Sequence, residues 1–80
     1  MELSKAVVDR LYELCNAKNL TINKLCTISA VTQSTVNDIV NGVTKNMGIV
    51  TLKKLCDGLE ISIADFFNTD IFRNLQQEIE

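Results

Sequence analysis

Residues 20–42 read LTINKLCTISAVTQSTVNDIVNG. Two short amphipathic segments, each opened by a threonine, flank the compact residues Ser29, Ala30 and Val31, the spacing of a helix-turn-helix over 21–41. Thr21 is expected to cap the first helix, with Ile22, Leu25 and Cys26 inward. Thr32 caps the second, with Val36, Ile39 and Val40 inward. Asn41-Gly42 closes it by offering a residue that tolerates left-handed geometry. A helix opening on Thr32, Gln33, Ser34 and Thr35 presents short hydrogen-bonding side chains at an exposed N-terminus, and such a tip can read base edges in a major groove.

Helical patterns continue on both sides of this stretch. Before it, Leu3, Val7, Leu11, Leu14 and Cys15 share one face with Asp9, Arg10 and Glu13 opposite, a surface helix ending near Lys18 and Asn19. After it, residues 43–50 read as a loop carrying Lys45 and Gly48. Thr51 then opens a helix with Leu52, Leu55, Cys56 and Leu59 on one stripe, closed at Asp57-Gly58 or shortly after. Ser62-x-x-Asp65 resembles a capping box and starts a short helix carrying Ile63, Phe66 and Phe67. Asn68-Thr69-Asp70 restarts the chain into a last helix, with Ile71, Phe72, Leu75 and Ile79 roughly four apart. No strand pattern is present. The expected fold is all-α: a compact five-helix domain over 1–67 and an additional C-terminal helix over 68–80. That helix packs on the core through Ile71 and Phe72, or on a dimer partner through Leu75 and Ile79.

Length and composition narrow the function classes. Eighty residues make one domain of modest core, for which a dimer would be unsurprising. A hydrophobic content of 46% without proline argues for compact helical structure rather than disorder. The apolar runs are far short of a membrane span and the N-terminus alternates polar and apolar residues, so a cytoplasmic protein is expected. Cys15, Cys26 and Cys56 form an odd set without C-x-x-C spacing, and there is no histidine. They read as buried free thiols rather than metal ligands. With no histidine, no cysteine beside a base, no phosphate-binding glycine loop and no carboxylate pair, an enzyme is disfavoured. No cofactor and no small-molecule ligand is expected.

Charge is unevenly distributed along the chain. The net charge of −2 would repel a polyanion at long range. From Asn16 to Cys56, however, Lys18, Lys24, Lys45, Lys53 and Lys54 face only Asp38, which leaves that stretch at +4. From Asp65 onward, Asp65, Asp70, Glu78 and Glu80 outweigh Arg73, giving −3.

From Val8 to Phe67, three quarters of its length, the chain resembles the phage-repressor-like helix-turn-helix family, the Cro/C1 type also called the XRE family. Leu20-Thr21-Ile22-Asn23-Lys24-Leu25-Cys26 is similar to that family's second-helix run. Residues 31 to 42, VTQSTVNDIVNG, are similar to its recognition helix. Thr51-Leu52-x-x-Leu55 and Ile63-x-x-Phe66-Phe67 look like its fourth and fifth helices. The resemblance implies a transcriptional regulator that binds double-stranded operator DNA as a homodimer, with recognition helix 32–41 in the major groove. Three departures stand out. Ile22 replaces a glutamine that contacts phosphate and braces the recognition glutamine, so that contact is lost or replaced. Ala30 replaces the turn glycine, at a strain of about 1 kcal/mol if the turn stays left-handed. Cys15 and Val40 replace a buried arginine and glutamate together, which avoids an unpaired buried charge and places the two in one core.

On this reading Gln33 holds adenine through N6 and N7, Ser34 and Asn37 face the same groove, and Thr35 meets a base methyl or a phosphate. Thr32 is more a cap than a base reader, though its side chain sits at the groove edge. Thr21, Lys24, Lys45 and Asn46, with Thr32, are the expected backbone contacts. Each of these side chains taken alone is a solvated surface group; only the motif assigns it a partner. Asp38 reads most simply as solvated. The rival function is an acidic, antitoxin-like or anti-repressor-like module that binds a protein rather than DNA, supported by Asp38, Ile22 and the acidic tail.

Overall fold

The computed structural model describes residues 1–43 and 46–79. Five helices follow in order: α1 (Leu3–Ala17), α2 (Ile22–Ser29), α3 (Gln33–Val40), α4 (Ile49–Gly58) and α5 (Ile63–Phe67), then a single 3-10 turn at Asp70–Phe72. No strand occurs among the described residues. No described helix is long and apolar enough to cross a membrane.

The first four helices end alike. Each closes on a left-handed residue, Asn19 (φ 56°), Ala30 (φ 56°), Gly42 (φ 76°) and Glu60 (φ 60°) respectively. The residue after it donates its N–H back to the last turn: Leu20 to the Cys15 carbonyl, Val31 to Cys26, Val43 to Asp38 and Ile61 to Cys56, at 2.8–3.1 Å. This is the Schellman arrangement, in which the following apolar residue folds back over the last turn. The cysteines all occupy the same last-turn position, accepting at their carbonyls from Leu20, Val31 and Ile61, and all three are free and buried.

The core joins Leu11 and Cys15 of α1, Leu25 and Cys26 of α2, Val36 of α3, and Leu52, Leu55 and Cys56 of α4 to Leu59 and Phe66. Val40 packs against this cluster, so it and Cys15 share one core as expected. α2 packs most extensively against α4. Close approach there depends on Gly58, because a Cβ at that position would meet the Ser29 hydroxyl at 2.0 Å. Ser29 is itself buried, and its hydroxyl has no hydrogen-bond partner among the described residues.

Several expectations need correcting. α4 begins at Ile49, not Thr51: Gly48 is its extended N-cap, no side chain caps it, and Ile49 and Val50 stand exposed in its first turn. On α1, Leu3 is 40% exposed, while Ala6 and Val8 are buried instead. Arg10 does not point into solvent. Its Nε donates to the Phe66 carbonyl at 2.8 Å and its Nη2 to the Asp65 carbonyl at 2.9 Å, closing the C-terminal end of α5, and Nη1 pairs with Glu13.

The last helix does not form. After the 3-10 turn the chain runs without helical structure, and the Gln76 N–H donates to the Met1 carbonyl at 2.9 Å. A dozen residues are too few to hold a helix without a buried face, and here the anchoring is done early. Phe72 packs edge-on against Phe67 and tilted against Phe66, with ring centroids 4.8 and 6.0 Å away, and Arg73 ties back to Asp70 and Asn68. Phe72 thus covers the core as expected, whereas Ile79 is 78% exposed.

Candidate nucleic-acid interface

The turn between α2 and α3 is set by Ala30, which is left-handed at φ 56°, ψ 38° despite its methyl group. The turn is thus left-handed although no glycine stands there. Beneath α3, Val36 and Ile39 are buried and fix the helix against the body of the domain. Gln33, Ser34, Thr35, Asn37 and Asp38 are consequently left exposed.

Capping differs between the two helices. The Thr21 hydroxyl accepts from the Lys24 N–H at 3.0 Å, as expected for an N-cap. Thr32 occupies the N-cap position of α3 in extended geometry but makes no side-chain capping bond; its hydroxyl pairs with that of Thr35 at 2.7 Å. The opening N–H groups of α3 are thus left without that side-chain acceptor at the exposed tip, where the helix dipole favours an anion.

Gln33 Nε2 donates to Asn23 Oδ1 at 2.6 Å, joining the tips of α2 and α3. Asn23 was absent from the sequence expectations. The brace that Ile22 cannot supply comes from the next residue along, and Ile22 is half-buried. An amide in the first turn of α2, facing a glutamine ten residues later, was the available signal.

Thr21, Lys24, Thr32, Thr35, Ser34 and Gln33 therefore lie on two adjoining helix openings. Asn46 sits at the other end, lining a mainly apolar hollow of about 200 Å³ with Leu3, Ser4, Val7, Ile39 and Met47. Lys45 lies outside the described residues. Lys53 forms an ion pair with Asp57, whereas no ion pair of Lys24 is found among the described residues. All three thiols are raised above their usual value by burial; for Cys15 the neighbouring Cys26 adds to this, and for Cys56 Lys53 opposes it. They are protonated, unreactive core groups at neutral pH.

The family model of the Cro/C1-type HTH DNA-binding domain matches residues 10–70. The chain belongs to this family. A relative in Bacillus subtilis (strain 168), the SPbeta prophage-derived uncharacterized HTH-type transcriptional regulator YopS, is 29% identical over 62 residues, covering 78% of this chain and 84% of the relative. The crystal structure of the prophage Lp1 protein 11 superposes with a TM-score of 0.83 at 37% identity, over 94% of this chain and all of that one. The matched residues run from within α1 through α5 to the start of the 3-10 turn.

Proposed function

We propose that this domain is a sequence-specific transcriptional regulator that binds double-stranded operator DNA by laying α3 in the major groove. The observation carrying the reading is the polar opening of α3, Gln33, Ser34, Thr35 and Asn37, held outward over buried Val36 and Ile39 in a Cro/C1-type domain. Gln33, Ser34 and Asn37 contact base edges, with Thr35 on a thymine methyl or a phosphate. Thr21, Lys24, Thr32, Lys45 and Asn46 contact the backbone. The protein works in the cytoplasm as a two-fold homodimer on two half-sites, blocking or recruiting polymerase at a promoter.

Selection from a random duplex pool at two salt concentrations, with Gln33→Ala as control, tests this. An enriched motif altered by the substitution is the expected outcome; no enriched motif, or one indifferent to Gln33, overturns it. A second reading, an antitoxin-like or anti-repressor-like protein-binding module, is favoured by exposed Val43, Ile49 and Val50, which are 74%, 76% and 66% accessible. It predicts no enriched motif.

A further inference from the structure

The charge asymmetry along the chain becomes a local juxtaposition in the folded domain. Beyond the 3-10 turn the tail is held at two successive residues: Leu75 is half-buried, and the Gln76 N–H donates to the Met1 carbonyl at 2.9 Å. That bond keeps the tail beside the start of α1. Two residues further on, Glu78 stands with Glu2, Leu3, Ser4 and Asn46 around one hollow of about 400 Å³. Glu78 is exposed, and no ion pair of its carboxylate is found among the described residues.

Two carboxylates, from residues 2 and 78, thus share a hollow with Asn46, the residue proposed above to meet a DNA phosphate. An approaching phosphate carries the same charge as both, and like charges a few ångströms apart in water shift an equilibrium by about fivefold. We infer that the acidic tail is a built-in brake on DNA binding: Glu78, held beside Asn46 by the bond from Gln76 to Met1, stands where a backbone phosphate would dock and must be displaced for the duplex to seat there. The inference rests on the DNA-reading function proposed above and adds a regulation of the same surface.

Anchor and charge can be separated. The anchoring bond uses a backbone donor, which proline lacks and alanine keeps, so Gln76→Pro frees the tail at unchanged charge while Gln76→Ala leaves it held. No helix runs through residues 75–79 for a proline to break. Glu78→Gln removes the charge and keeps the anchor. Glu60→Gln makes the same change in net charge just past the far end of α4, a helix of 10 residues and about 15 Å.

The test measures the affinity of wild type and these four variants for the duplex that wild type selects, at two salt concentrations. Near 0.1 M salt, where charges are screened beyond about 10 Å, Glu78→Gln and Gln76→Pro should each bind about threefold tighter than wild type. Gln76→Ala and Glu60→Gln should bind as wild type does, and the gains should shrink at higher salt. In the free protein, the Asn46 side-chain amide resonances should move in Glu78→Gln and Gln76→Pro and stay in place in the other two. A gain in only one of Glu78→Gln and Gln76→Pro, or in neither, overturns the inference while the DNA reading stands. So does an equal gain in Glu60→Gln or Gln76→Ala, a gain indifferent to salt, or an Asn46 amide that does not move. Failure of wild type to enrich any motif overturns the DNA reading itself.

Discussion

At the scale of single residues, the left-handed closures provide an internal comparison. Asparagine tolerates that conformation, but alanine and glutamate carry a Cβ that crowds the following carbonyl. Ala30→Gly and Glu60→Gly are each expected to raise stability by about 1 kcal/mol, and Asn19→Gly to change it much less. Urea melts of the three variants check the ordering; equal effects at all three positions would contradict it. At Ala30 the strain was readable in advance, because the family resemblance puts the usual turn glycine at that position. At Glu60 it was not, since nothing in Leu59-Glu60-Ile61 resembles a turn. Gln33, Ser34, Thr35 and Asn37 were likewise legible as an exposed face, because Val36 and Ile39 fix the helical phase. The bond from Gln33 to Asn23 depends on how α2 and α3 cross, which no one-dimensional pattern contains.

Among the elements, periodicity located α1 to α5 but also suggested a C-terminal helix that does not form, while helix ends followed from backbone chemistry that side chains only partly signal. Thr21 and Ser62 accept capping bonds and mark their helices correctly, but α4 starts on uncapped Gly48, three residues before the threonine that looked like its cap. The α2–α4 contact is the tightest consequence. Gly58→Ala should cost about 1–3 kcal/mol by overpacking against Ser29. Ser29→Ala, which removes a buried hydroxyl without a partner, should stabilise by about 1 kcal/mol and relieve most of the Gly58→Ala penalty. Additive effects in that double-mutant cycle would contradict the contact. Arg10, whose side chain is 14% exposed, holds α5 through two backbone carbonyls. Arg10→Met should therefore cost about 1.5–3 kcal/mol by thermal melting, the range for hydrogen bonds to a charged group.

For the whole molecule, charge and pH behaviour follow from what is buried. The three thiols have raised pKa values in the folded state, so folding binds protons at alkaline pH. Their contribution is complete below their usual value of 9.0 and is lost as pH rises through the raised values. Urea midpoints should accordingly fall between pH 8 and pH 10.5, and less steeply in a Cys56→Ala variant; a flat profile would contradict thiol burial. The net −2 charge and few free lysines imply a shallow salt dependence on DNA, with Lys24→Gln reducing the slope of log affinity against log salt by about one. The central claim is that the paired openings of α2 and α3 form the DNA-reading surface. Amide chemical shifts of the isotope-labelled domain, followed as its selected duplex is added, address that surface directly. The account predicts that the largest changes fall on Asn23, Lys24 and Thr32 to Asn37, and changes centred on Ile49 and Val50 with the α3 tip unmoved would contradict it.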